Sequence, residues 1–210
     1  MLNVIGQGLN TLDRLTVVER DRDSWQRAPE IIAQLNPRNG SRIADLGCGS
    51  GYFALKLASA VGPNGTVQAV DILRLPLTFL FIRGMQRDLP NLHVIHGDSD
   101  DPHISGPVDA VLVANTWHEL EHPTTTLRYL SQALVPTGRL VIADRAPQTA
   151  EAAHSINPAV VESQLTRENF HIISRDDHFL TQPNEGEWFL IVAEKSPNPA
   201  HAELIMRHIR

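Results

Sequence analysis

Ile43-Ala-Asp-Leu-Gly-Cys-Gly-Ser-Gly-Tyr-Phe53 is an apolar run that ends on an acidic residue and opens at once into glycines at positions 47, 49 and 51. Glycine takes positive φ without a Cβ penalty and lets a ligand approach the main chain, so the stretch is a binding turn between a buried strand and a helix start. Such a turn is expected to present unpaired N–H groups to a polar or anionic ligand. The dinucleotide fingerprint Gly-x-Gly-x-x-Gly is the first pattern to compare with it. It does not fit, because the third glycine comes one place early and Tyr52 stands where that fingerprint has glycine.

Working outward, short apolar strands alternate with helix-length stretches, the pattern of parallel βαβ units. Strands are predicted over 43–46, 66–71, 92–96, 109–114 and 139–144, and helices over 52–61, 124–134 and 158–169, the last capped by Asn157. The chain ends in two strand-like runs, 170–179 and 187–194, joined as a hairpin through Pro183 to Gly186. Strand 66–71 ends in Asp71, where a carboxylate accepts both hydroxyls of a ribose or caps the next helix. Before the glycine turn, Leu9, Leu12, Leu15 and Val18 recur at helical spacing, and a helix over 25–35 is expected with Ser24 as N-cap. The stretch 73–87 is apolar for a surface helix, with Pro76 in its first turn. Its face is expected under the N-terminal segment or against a second copy, which would make a homodimer.

The order acid, any residue, Gly-x-Gly-x-Gly resembles motif I of the class I S-adenosylmethionine (SAM) dependent methyltransferases, matched by Asp45, Gly47, Gly49 and Gly51, with Cys48 inside the turn. The resemblance covers roughly residues 25–195. It implies a Rossmann-like α/β fold with a seven-stranded, mostly parallel sheet in the order 3-2-1-4-5-7-6, the last strand antiparallel, flanked by helices. It implies SAM as cofactor, S-adenosylhomocysteine as product, and cofactor contacts from Asp71 and Ile72. Asp98 matches the family's acceptor for the adenine amino group, and Ser99 the backbone donor after it. Leu134, Pro136, Gly138, Leu140 and Ile142 carry a further family pattern. Asn115 to His118 follow strand 109–114 and are expected to border the reacting methyl group. His118, followed by Glu119, resembles the base of small-molecule O-methyltransferases, and an imidazole titrates near neutral pH. His154 is a second candidate. Trp25 either covers the methionine end of SAM or packs on the core.

Composition narrows the substrate. With 18 basic and 24 acidic residues, a net charge of −6, there is no cationic field for nucleic acid. Asn115-Thr-Trp-His also lacks the prolines of amino-methylating DNA enzymes. A single cysteine, Cys48, excludes an intrachain disulfide framework. Methyl transfer from SAM requires no metal, and His93 and His96, on opposite faces of one strand, make no metal site, although ten histidines leave scattered metal binding open. No run approaches a membrane span and the start lacks a basic, apolar leader, so a cytoplasmic protein is expected. The expected organisation is a cap segment over 1–24, a methyltransferase domain over 25–196 and a helical tail over 197–210. The leading reading is methyl transfer to a small molecule carrying an O- or N-nucleophile. Its rivals are a SAM-binding sensor or partner subunit without catalysis, and a nicotinamide-dependent oxidoreductase.

Overall fold

A computed structural model describes residues 2–149, 152, 154–183 and 186–196, with side chains from residue 12 onward. The elements are α1 (Leu2–Trp25), α2 (Ala28–Gln34), β1 (Arg42–Leu46), α3 (Tyr52–Ala60), β2 (Thr66–Asp71), α4 (Arg74–Gln86) and β3 (Leu92–His96). They continue with β4 (Val108–Ala114), a 3-10 turn (Trp117–Glu119), α5 (Pro123–Ala133), β5 (Leu134–Arg145), α6 (Pro158–Arg167), β6 (Phe170–Gln182) and β7 (Gly186–Lys195). They build one seven-stranded sheet in the order β3-β2-β1-β4-β5-β7-β6. β7 runs antiparallel to both β5 and β6, as expected for this topology.

The alternation of side chains along each strand supplies two cores. Ile43, Ala69 and Leu112 face α2, α3 and α4, where Ile31, Leu57 and Leu80 are fully buried. Ala44, Val113 and Ile142 face α5 and α6, where Leu127, Leu130 and Leu165 are fully buried. The parallel strands are apolar on both faces because both faces are covered. β1 pairs with β2 on one side and with β4 on the other, so strand order reverses between β1 and β4. That reversal leaves a crevice at the carboxyl ends of the central strands.

Two expectations are corrected. Residues 2–25 form one helix rather than a cap followed by a new start at Trp25; Ser24 is no N-cap, its hydroxyl donating to the Asp21 carbonyl at 2.6 Å inside α1. The break falls at Arg27, whose φ is 51°, and Pro29 in the first turn of α2 starts the new helix there. Of the two alternatives for Trp25, packing on the core holds: it meets Trp188 edge-to-face, with ring centroids 5.9 Å apart. β5 begins at Leu134, because Leu134 pairs with Val108 before the chain loops out through Pro136–Gly138 and resumes pairing at Arg139. The helical tail expected over 197–210 lies outside the described residues. No helix among the described residues is long and apolar enough to cross a membrane.

α1 is fixed across the mouth of the crevice by charged contacts. Arg83 of α4, 4 % exposed, pairs with Glu19 of α1 and donates to the Ser50 carbonyl at 2.6 Å. Asp23 accepts from Tyr52 Oη at 2.9 Å and from Lys56 Nζ at 2.7 Å. The apolar run of α4 is divided: Leu77 and Leu80 are buried, while Leu75, Phe81 and Met85 face outward.

Candidate active site

The crevice is a cavity of about 510 Å³, within the usual range for small-molecule sites of roughly 300–1,000 Å³. One side is the glycine turn. Gly47, Gly49 and Gly51 all have positive φ, at 75°, 53° and 96°. A Cβ on Gly47 would lie 2.1 Å from Thr116 Oγ1, whereas one on Gly49 would meet nothing within 4 Å. Gly47 is therefore required by packing against the β4 loop, and Gly49 by backbone conformation beside open space.

The turn does not offer the row of free amides expected from its sequence. Gly47 and Cys48 N–H groups donate to the Val70 carbonyl at 2.8 and 3.0 Å, and Gly51 N–H donates to the Cys48 carbonyl at 2.9 Å. Gly49 N–H donates to Asp71 Oδ2 at 2.8 Å, and Leu73 N–H donates to Asp71 Oδ1 at 2.8 Å. Asp71 thus ties the two binding loops together, and each of its oxygens keeps a second lone pair.

Asp45, Gly47, Cys48, Gly49, Asp71, Ile72, Asp98, Ser99 and Asn115 all line the cavity. Gly51 stands just behind, at the N-cap of α3, packed against Leu80. Asp45 is 2 % exposed and its Oδ2 has no hydrogen-bond partner among the described residues. Burial pushes its carboxyl up to about 7, opposed by the charge of Arg22 and reinforced by that of Asp71. The Cys48 thiol is also raised, by burial and the same two carboxylates, which leaves it inert as a nucleophile. Asn115 adopts φ 57° and accepts from Arg145 Nε at 3.0 Å. Asp100 and Asp101, which follow Ser99, contact His122 and His103 rather than the cavity.

His118 is set back from the cavity wall, its side chain 2 % exposed. Its Nδ1 lies 2.8 Å from Asp144 Oδ1, and its backbone N–H donates to Asp144 Oδ2 at 3.1 Å. An ionised carboxylate only accepts, so Nδ1 carries the proton and Nε2 carries the lone pair. Nε2 is 3.6 Å from Glu119 Oε1, and Glu119 lines the cavity. The His154 ring meets the His118 ring edge-on, with centroids 5.9 Å apart.

Sequence reasoning missed Arg22, Tyr52 and Glu121, which also line the cavity, whereas Thr116 falls within the stretch 115–118 expected there. It missed Asp144 as the partner of His118, although Asp144 ends a strand just as Asp71 does. Arg22 gave no signal within its own helix; only the fold of α1 over the crevice brings it in.

A model described as "Methyltransferase domain" matches residues 37–189. The chain belongs to the methyltransferase-domain family. A demethylmenaquinone methyltransferase of Geobacillus sp. is 25 % identical over 138 residues, covering 65 % of this chain and 59 % of that protein. A nocamycin O-methyltransferase of Saccharothrix syringae is 28 % identical over 133 residues, covering 62 % and 47 %. This chain therefore spans about half the length of the curated relatives it matches. A SAM-dependent methyltransferase from Aquifex aeolicus shares the fold with a TM-score of 0.70 at 19 % identity, covering 80 % of this chain and 89 % of that one.

The family's cofactor is SAM, and the cavity suits it. SAM carries a sulfonium and an ammonium against one carboxylate, and Asp45, Asp71, Asp98, Glu119 and Glu121 on the wall outnumber Arg22. The unpartnered Asp45 oxygen awaits a donor such as the ammonium. The pyrophosphate of a dinucleotide would meet the same carboxylates and a turn whose amides at 47, 48, 49 and 51 are already bonded.

Proposed function

We propose that this chain is a SAM-dependent methyltransferase that acts on a small molecule through an O- or N-nucleophile bearing a proton. The observation that carries the reading is the acidic cavity at the strand-order reversal, with an orphaned Asp45 oxygen at one end and an Asp144-oriented imidazole near the other. SAM supplies an activated methyl group on a sulfonium. The protein's part is to bind, orient and remove a proton.

In this reading Asp71 accepts the ribose hydroxyls, and Asp98 and Ser99 hold the adenine. Gly47 to Gly51 and Asp45 seat the methionine portion, with Ile72 against the adenosine. Asn115, fixed by Arg145, borders the transferred methyl. Deprotonation falls to His118: Asp144 holds Nδ1–H, steadies the positive charge that develops on the ring, and leaves Nε2 to take the acceptor's proton. As the nucleophile bonds to the methyl carbon, the methyl–sulfur bond breaks and its electron pair stays on sulfur. Glu119 and Glu121 at the acceptor end repel anions, which favours neutral or cationic acceptors. The names of the two relatives, one acting on demethylmenaquinone and one an O-methyltransferase of nocamycin, favour a small acceptor. The outward face of α4 carries Leu75, Phe81 and Met85, the surface a homodimer would use. Light scattering of the purified chain at several concentrations tests that.

Calorimetric titration with SAM, S-adenosylhomocysteine and NAD, followed by labelled methyl transfer to a panel of phenols, quinols and amines, tests the function. Micromolar binding of SAM and its product, near −8 kcal/mol, with no NAD binding and with label transferred, is the expected result. NAD binding without SAM binding overturns the cofactor. SAM binding with no transfer to any acceptor turns the reading to a sensor or partner subunit.

A further inference from the structure

An imidazole nitrogen placed to take a proton is equally placed to take a metal ion, and at His118 two further donors converge. His118, Glu119 and His154 each present one ligand atom, and these atoms all lie within 4.8 Å of one another. The residues come from two loops, the one after β4 and the one after β5, which meet only because β4 and β5 are neighbours in the sheet. Two imidazoles and one carboxylate are the donor set that suits zinc and other late divalent transition metals, and it leaves positions open for solvent or substrate.

The outer partner is also present. Asp144 Oδ1 accepts from His118 Nδ1 at 2.8 Å and is itself anchored by the Arg145 N–H at 2.8 Å. A buried carboxylate on the far nitrogen of a ligating histidine fixes its tautomer and raises its basicity. Asp144 is fully buried, so His118 is the rigid member, while Glu119 and His154 are exposed side chains free to close in. Donors held at 2.0–2.1 Å around a tetrahedral ion stand about 3.4 Å apart. The 3.6 Å between His118 Nε2 and Glu119 Oε1 is close to that spacing already.

We propose that His118 Nε2, Glu119 and His154 form a site for a divalent transition-metal ion at the acceptor end of the cavity, with Asp144 as its outer carboxylate. The proposal rests on the reading above that an acceptor is deprotonated at this end, and it narrows the acceptor to one with a hydroxyl oxygen. Coordination of that oxygen to an open position lowers its pKa, and the hydroxyl proton leaves to solvent. The oxygen then attacks the SAM methyl carbon, the methyl–sulfur bond breaks with its pair remaining on sulfur, and the ion stabilises the oxyanion in place of proton transfer to Nε2.

The test uses the full chain freed of metal with a chelator. Zn2+ is titrated in competition with a chromophoric chelator, and Co2+ is added separately to read its visible absorption bands. SAM calorimetry runs on every sample. One equivalent of Zn2+ binding at micromolar strength or tighter is expected, with tetrahedral-type Co2+ bands. His154→Ala and Glu119→Gln are each expected to weaken Zn2+ by at least ~10-fold, and His154→Ala, which lies off the cavity lining, to leave SAM affinity unchanged. Wild-type protein that binds SAM but takes up no Zn2+ at micromolar free ion overturns the metal site and leaves His118 as the base. So does His154→Ala with unchanged Zn2+ affinity. Loss of SAM binding in wild-type protein strikes the cofactor reading instead, and the Zn2+ titration still decides the metal site.

Discussion

The two ends of the cavity are built by different means. At the proposed cofactor end, the residues assigned to SAM sit in three short segments, 45–51, 71–72 and 98–99, each at the carboxyl end of a strand. They are fixed by hydrogen bonds from main-chain amides, such as Gly47 N–H to the Val70 carbonyl and Gly49 N–H to the Asp71 carboxylate. At the acceptor end the arrangement depends on side chains from distant parts of the chain: His118 on Asp144, Asn115 on Arg145, His154 against His118. The cofactor end is set by main-chain amides of the turn after β1 bonded to the end of β2, and the acceptor end by side-chain contacts between the segments that follow β4 and end β5. Changes at one end should therefore leave the other intact, and the experiments below are ranked by how hard they press on that separation.

His118→Ala should give the largest effect. Loss of a positioned proton acceptor, or of a metal ligand, is expected to lower the methyl-transfer rate by about 10²–10⁴-fold. SAM affinity by calorimetry should stay within about twofold, and a parallel loss of SAM binding would show that the two ends are one unit. Asp71→Ala presses from the other side. It removes the acceptor of two loop amides and the ribose partner, and a SAM affinity weaker by about 10–100-fold is expected, with the Zn2+ affinity of the acceptor end unchanged.

The glycine pair sharpens the comparison within one turn. Gly47→Ala meets Thr116 at 2.1 Å and also forces φ 75° on alanine, so a stability loss of about 2–3 kcal/mol is expected by denaturant titration. Gly49→Ala meets open space and carries only the backbone cost, about 1 kcal/mol, with its effect appearing in SAM affinity. Equal destabilisation by the two would mean that contact with Thr116 across the cavity is not what fixes the turn.

The smallest effect is in pH. Burial holds the Asp45 carboxyl at about 7 in the folded chain against its ordinary 3.8, so between those values the folded state holds a proton that the unfolded chain has lost. Its contribution makes the ligand-free chain less stable as pH rises from about 4 to 7. A cationic ligand favours the ionised form, so SAM affinity should rise a few-fold between about pH 6 and 8 and then level off. Asp45→Asn should flatten that rise, and an unchanged profile would place the linked proton elsewhere.

The strands, the glycine turn and the strand-end acids were legible because each is a local signal: short apolar runs, glycines at alternate positions, an acid where the run stops; the strand order came only from the family resemblance those signals carry. Two local readings went astray for tertiary reasons. The amides of the glycine turn, free by sequence logic, are taken up by the neighbouring strand's Val70 carbonyl and by Asp71. Ser24 has the chemistry of a cap, but α1 continues past it because its contacts to Arg83 and Lys56 hold it as one rod.

By itself the sequence determined the alternation of strands and helices and the glycine turn, since a backbone path and its periodicity are written in consecutive residues; the sheet order, the cofactor and the candidate histidine followed from the resemblance that this turn carries. Only the tertiary structure decided that Arg22 reaches the cavity, that Asp144 orients His118, and that His154 comes to lie beside them. Those three contacts join residues that are far apart along the chain or on separate elements. No spacing rule within one segment can report them, because sheet adjacency and the docking of α1 bring them together.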